Sequence, residues 1–119
     1  MSSTRLGIKL WIEGDEGAML GTGRMNLLRL VEELGSLNKA AKELGMSYRQ
    51  AWGRVQATEQ RLGEPIVVRG RGRGGYALTD FGRSLLDTWD EYQRDVADYA
   101  ERRADELLPW SVRLRGRES

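Results

Sequence analysis

Two helical faces follow each other almost end to end in this chain, and each is punctuated on both sides. Residues 36–81 read SLNKAAKELGMSYRQAWGRVQATEQRLGEPIVVRGRGRGGYALTDF. Ser36 is a capping residue placed just before Leu37, Ala40, Ala41 and Leu44, which recur at helical spacing. Gly45 supplies the left-handed backbone that stops such a helix. Two residues later, Ser47-Tyr48-Arg49-Gln50 fits the S-x-x-Q box, in which Ser and Gln satisfy each other's free backbone donors. Ala51, Val55, Thr58 and Leu62 then form a second apolar face, and Gly63 ends it. So tight a turn forces the two helices to cross closely. Ala41 is small where they would touch, and Ala51 sits where the second helix returns onto the first.

The segment beyond these helices narrows the architecture further. Ile66–Val68 reads as a strand, Arg69-Gly70-Arg71-Gly72-Arg73-Gly74-Gly75 as a flexible loop and Tyr76–Leu78 as the returning strand. Thr79 then caps a long last helix. Helix, tight turn, capped helix and basic hairpin are the order of a winged helix-turn-helix, which sets one helix end in the DNA major groove and a basic loop near the backbone. The first turn of the second helix projects Tyr48, Arg49 and Gln50, with Gly53 and Arg54 one turn on. Arg bridges guanine O6 and N7, Gln pairs with adenine N6 and N7, and Gly53 allows close approach. Base contacts are therefore expected from Tyr48, Arg49, Gln50 and Arg54. Backbone contacts are expected from Ser47 at the helix N-terminus and from Arg61, Arg69, Arg71 and Arg73. The plainer alternative is a small helical bundle with a solvated polar face. A nucleotide-binding loop fits poorly, because there is no GxxxxGK[ST] and no helix begins directly after these glycines. RG-rich segments also occur in RNA-binding tails, so RNA stays a rival ligand.

The flanking segments support this unit. Residues 5–13 alternate, with Leu6, Ile8, Leu10 and Ile12 on one side, which predicts a strand. Gly14-Asp15-Glu16-Gly17 is a turn and Ala18–Gly21 a short return strand, completing an N-terminal hairpin over about residues 5–21. Met25, Leu27, Leu28, Leu30, Val31 and Leu34 give a helical face ending at Gly35. Trp52 is expected to pack against the base of the wing. Trp11 faces away from the aliphatic side of its strand, half exposed or covered by a second subunit. In the last helix Trp89, Tyr92, Val96 and Tyr99 are spaced three, four and three apart. That is close to the pattern of helices that pair with helices, and it predicts a dimer interface. Pro109 stops the helix, and residues 110–119, with Arg113, Arg115 and Arg117, read as a short disordered tail. The expected fold is mainly α with small β-hairpins: one winged helix-turn-helix domain over residues 1–119 with a long C-terminal dimerisation helix.

Composition removes several function classes. The chain has 119 residues and neither cysteine nor histidine. Disulfides, thiolate or imidazole metal sites and the commonest general base are absent. No catalytic residue, metal or cofactor is assigned. An enzyme would need a carboxylate or lysine mechanism, and the carboxylates cluster on what reads as a scaffold helix. No apolar run approaches the roughly 20 residues of a membrane span. The start, MSSTRLGIKLWIEG, lacks a signal pattern, so a cytoplasmic protein is expected. Net charge is only +1, but its distribution is uneven. Residues 49–75 hold six arginines against two glutamates, and residues 80–106 hold four arginines against nine acids. One stretch suits phosphate and the other repels it.

The run G-S-L-N-K-A-A-K-E-L-G-M-S-Y-R-Q-A-W, residues 35–52, resembles the N-terminal domain of the ModE family of molybdate-responsive regulators. That family's pattern is G-S-I-S-x-A-A-x-x-x-G-M-S-Y-x-x-A-W, followed by a Gly-rich wing and an L-T-x-x-G helix start. Here Gly70–Gly75 and Leu78-Thr79-Asp80-Phe81-Gly82 stand in those places. The more distant LysR-type fold shares the E-x-x-L-G-x-P-I run at Glu59–Ile66. The resemblance spans about residues 5–105. It implies a regulator of transcription that binds double-stranded, near-palindromic operator DNA as a homodimer. A full ModE regulator also carries a C-terminal molybdate-binding region, for which this chain ends too soon, so no molybdate binding is expected. The alternative is an interaction module of the same fold that pairs with another regulator or binds RNA.

Overall fold

The structure is a computed structural model that describes residues 4–15, 17–70, 72 and 75–116. In chain order its elements are β1 Arg5–Leu6, β2 Trp11–Gly14, β3 Gly17–Gly21, α1 Thr22–Leu34, α2 Leu37–Glu43, α3 Tyr48–Leu62, β4 Val67–Arg69, β5 Tyr76–Leu78, α4 Asp80–Leu107 and β6 Arg113–Leu114. The strands form three two-stranded sheets: β1 with β6, β2 with β3 and β4 with β5. The fold is mainly helical with small strand pairs, as the punctuation of the sequence predicts. The chain divides into two compact units, one over Trp11–Thr88 and one formed by the segments up to Leu10 and from Trp89 onward.

In the first unit, the helical faces read from sequence supply the core, except that Leu34 is exposed and Leu30, Leu44 and Leu62 are half-buried. Met25, Leu27, Leu28 and Val31 of α1, Leu37, Ala40 and Ala41 of α2, and Ala51, Val55 and Thr58 of α3 are all buried. Each large side chain so removed from water stabilises the fold by about 1.5–3 kcal/mol. Ser36 Oγ accepts a hydrogen bond from Lys39 N at 3.1 Å and so caps α2. Gly35 closes α1 and Gly63 closes α3, both in the left-handed conformation, with φ of 66° and 76°.

The wing is held by two carboxylates and a threonine. Glu59 Oε2 accepts from Ile66 N at 2.7 Å and from Val67 N at 3.3 Å. Glu32 Oε2 accepts from Leu78 N at 3.1 Å, and Glu32 Oε1 pairs with Arg83. Thr79 Oγ1 accepts from Gly82 N at 2.9 Å and donates to the Pro65 carbonyl at 2.8 Å, which joins the start of α4 to the start of the wing. Gly82 is the small residue that lets α4 begin there, because a Cβ at this position would overlap the Ile66 carbonyl oxygen. The strand expected at Ile66–Val68 begins one residue later. The Ile66 N–H is already taken by Glu59, and its carbonyl accepts from Thr79 N. The wing is antiparallel with Val67 opposite Leu78 and Arg69 opposite Tyr76, and Ser36 and Gly75 add a bridge to the turn between α1 and α2.

The second unit corrects two expectations. Residues 5–13 do not form one strand. Arg5–Leu6 runs parallel to Arg113–Leu114, while Trp11–Gly14 pairs antiparallel with Gly17–Gly21 within the first unit. Residues 7–10 belong to neither ladder. The alternating pattern was real, but two different partners compete for its ends. The region from Trp110 is not wholly a loose tail either. Val112 is buried, Leu114 N donates to Glu101 Oε2 at 2.6 Å and Arg115 N donates to the Leu6 carbonyl at 2.8 Å. Its basic side chains drew the reading towards disorder, whereas one apolar residue and one carboxylate on α4 suffice to dock its backbone. Arg117 lies outside the described residues.

Candidate nucleic-acid interface

The presentation of α3 begins with its cap. Ser47 Oγ accepts from Gln50 N at 3.0 Å, and Gln50 Oε1 accepts from Ser47 N at 2.9 Å, so the predicted box is complete. It satisfies two otherwise free donors and fixes where the helix starts. Ser47, Tyr48, Arg49 and Gln50 are all exposed, and the buried Ala51 comes directly after them. The first turn therefore stands clear of the core while its next residue anchors it. Gly53 is exposed as well, with open space around the position a Cβ would take. The helix N-terminus adds partial positive charge here.

The remaining residues of α3 divide by side. At roughly 100° per residue, Tyr48, Trp52 and Glu59 fall on one flank of the buried stripe and Gln50, Arg54 and Arg61 on the other. The first flank meets the wing. Trp52 and Tyr76 of β5 lie with ring centroids 5.8 Å apart, and the Arg69 guanidinium lies 5.8 Å from the centre of the Tyr76 ring. A hydrogen bond shared with Tyr76 raises the Tyr48 phenol above its ordinary value, with desolvation adding to the effect. Tyr76 thus joins the first turn of α3, the middle of α3 and the wing base in one cluster. The hairpin tip is closed by Gly70 N donating to the Gly75 carbonyl at 2.9 Å and Gly75 N to the Gly72 carbonyl at 3.3 Å, with Gly72 at φ 88°. Arg71 and Arg73 lie outside the described residues.

The second flank meets α1. Arg24 Nη1 donates to Thr58 Oγ1 at 2.8 Å and more weakly to the Arg54 carbonyl at 3.4 Å. Partial burial, then repulsion from Arg54 and Arg61, lowers the pKa of the Arg24 guanidinium. Arg61 lies about 16 Å along the helix from Gln50, taking 1.5 Å per residue. Its guanidinium occupies the space beside Gly14 of β2.

The structure thus gathers Ser47, Tyr48, Arg49 and Gln50 at one helix end, places Arg54 one turn behind them and brings Arg69 beside them at the wing base. Arg61 stands at the far end of α3. On α4, Trp89 is buried at 4% exposure, Val96 is half-buried, and Tyr92 and Tyr99 are 50% and 57% exposed. Trp89 and Tyr92 meet edge-on at 6.0 Å, and Arg102 covers the Tyr99 ring at 5.3 Å. Sequence reading passed over Tyr76, Arg24 and the two wing carboxylates. Each acts on residues outside its own element, from 7 and 8 positions away for Glu59 up to 51 for Glu32, and only the fold brings them together.

Comparison with known proteins agrees with this geometry. Residues 23–83 match the family described as "Bacterial regulatory helix-turn-helix protein, lysR family". The "Molybdenum transport protein ModE" of Azotobacter vinelandii is 36% identical over 109 residues, covering 86% of this chain and 40% of that protein. The "DNA-binding transcriptional dual regulator ModE" of Escherichia coli K12 is 37% identical over 71 residues, covering 56% of this chain and 27% of that protein. The chain thus spans well under half the length of these curated relatives. Among solved structures, the CbnR_DBD–DNA complex superposes with a TM-score of 0.50 at 28% identity, covering 71% of this chain and 90% of that one.

Proposed function

The chain belongs to the bacterial regulatory helix-turn-helix proteins of the lysR family, and we propose that it regulates transcription by binding double-stranded DNA. The observation that carries this reading is the first turn of α3, box-capped, exposed and tied through Tyr76 to a basic wing. Tyr48, Arg49, Gln50 and Arg54 read base edges in the major groove. Ser47 at the helix N-terminus, Arg69 and the wing arginines Arg71 and Arg73 hold phosphates, with Arg61 extending the contact along the helix. The CbnR DNA-binding domain, whose fold this chain shares, was solved on DNA, and an E. coli relative is named a DNA-binding regulator.

The operator is near-palindromic and the protein acts as a homodimer in the cytoplasm. The exposed rings of Tyr92 and Tyr99 on α4 are the surface offered to a second copy, with Val96 half-buried between them in sequence. Two-fold pairing sets two copies of α3 about one DNA turn apart. No molybdate response, catalytic activity or cofactor is assigned to these 119 residues. Selection of bound sequences from random duplex DNA tests the reading. A consensus with two inverted half-sites is expected, and recovery of no consensus would refute sequence-specific binding.

A further inference from the structure

The unit built from the two ends of the chain holds a cleft that the DNA-binding reading does not use. It is bordered by the segment from Leu6 to Lys9, by β6 and by α4, and its volume is about 580 Å³. Small-molecule sites span roughly 300–1,000 Å³. Leu6, Ile8, Ala97 and Leu114 give the cleft an aliphatic lining, and Lys9, Gln93 and Arg115 are its polar part. No carboxylate and no aromatic ring lines it. Glu101, the α4 carboxylate that meets β6, is engaged by Leu114 N at 2.6 Å. Among the described residues, the side chains of Lys9, Arg115 and the half-buried Gln93 have no hydrogen-bond or ion-pair partner. Two cations without counter-charge, a spare amide and an aliphatic lining together fit a negative head group on an aliphatic body.

We propose that this cleft binds a small aliphatic organic anion, with its head group held by Lys9 and Arg115 and its chain packed on Leu6, Ile8 and Leu114. The apolar chain supplies affinity by leaving water, and the two cations with the Gln93 amide fix its orientation. The Arg115 guanidinium presents a planar fork of donors that matches a carboxylate. Such a ligand touches β1, β6 and α4 at once, where the strands themselves share a ladder of only two residue pairs. The site lies wholly within the terminal unit and stands independently of the DNA-binding reading.

The test is a titration of the full ¹⁵N-labelled chain with decanoate below its micelle-forming concentration, followed by amide shifts. Acetate supplies the charge without the chain, and 1-decanol supplies the chain without the charge. Saturable shifts are expected at Gln93, Ala97 and Leu114 with decanoate, and binding of 1-decanol should be about tenfold weaker. Lys9→Gln and Arg115→Gln alter exposed side chains without partners, so both should keep the wild-type circular dichroism spectrum. Each should weaken decanoate binding by about threefold. Gly7→Leu fills the cleft from within, because a Cβ at Gly7 meets nothing within 4 Å, and it should abolish the shifts. Decanoate binding that survives in a folded Gly7→Leu, or that is untouched by both charge variants, overturns the proposal. So does acetate or 1-decanol binding as tightly as decanoate. Shifts that spread over the whole chain without saturating mean a detergent effect and refute the site.

Discussion

Replacing Glu59 with alanine removes the acceptor on which the first residues of the wing depend. Glu59 Oε2 receives the N–H of Ile66 at 2.7 Å and of Val67 at 3.3 Å. Ile66 is 1% exposed and Val67 is also buried, so water has little access to either donor once the carboxylate is gone. A buried donor left unpaired costs about 1–3 kcal/mol. The short, charge-assisted bond belongs at the upper end of that range and the longer one at the lower end, which gives about 4 kcal/mol for Glu59→Ala. A chain of this size has a total stability of roughly 6–18 kcal/mol. The loss corresponds to about 15 °C in Tm. Glu59→Gln keeps an oxygen acceptor and gives up the charge, so it should cost only about 1 kcal/mol. Urea titration with a common slope for all three proteins measures these differences. If Glu59→Ala falls within about 0.5 kcal/mol of the wild type, the carboxylate does not hold the wing. If the glutamine variant is as unstable as the alanine variant, the charge rather than the acceptor matters.

Two glycines respond in opposite ways. Gly82→Ala sets a Cβ against the Ile66 carbonyl and should destabilise by about 1–3 kcal/mol despite alanine's better helix propensity, read by thermal unfolding. Gly53→Ala meets open space and should stabilise the chain by about 0.5–1 kcal/mol while weakening duplex binding; unaltered affinity would remove the close approach argued for Gly53. The Tyr48 phenol is held neutral by its bond with Tyr76, so it should titrate above its ordinary value of 10.0. Because the folded value is raised, this contribution is complete below the unfolded value and is lost as pH rises through the folded one. Ultraviolet titration should show the Tyr48 transition moving down in Tyr76→Phe, and an unmoved transition would deny the shared bond. Val96→Asp places a charge within the α4 stripe and should shift a dimer towards monomer in sedimentation at tens of micromolar, on the order of a weak dimer's dissociation constant; a wild type already monomeric there would refute the seam.

The helices were legible because their signals are local. Ser36, Gly35 and Gly63 mark boundaries within a few residues of themselves, and the box of Ser47 and Gln50 is complete within four positions. The two motif runs also gain a physical meaning. Glu59 opens the E-x-x-L-G-x-P-I run because it holds Ile66, the run's last residue and the one just before β4, and Gly82 closes L-T-x-x-G because α4 passes against the Ile66 carbonyl. What could not be read was pairing at a distance. Period two announced a strand at residues 5–13 but not that its ends take different partners, one of them more than a hundred residues away. A row of basic residues hid the docking of residues 112–115. Arg24 carries no local signature, since its partners are 30 and 34 residues further on.

Base reading by the first turn of α3 is the core of the proposed function, and Arg49 is its most direct probe. Arg49 is exposed at the start of that turn and stands outside the cap, the Tyr76 cluster and the core. Binding of the wild type and Arg49→Ala should be measured at fixed salt on the selected duplex and on random duplex of equal length. The expected result is a loss of about 1–3 kcal/mol on the selected site with nearly unchanged affinity for random DNA. Equal losses on both would contradict base reading and make Arg49 a phosphate contact.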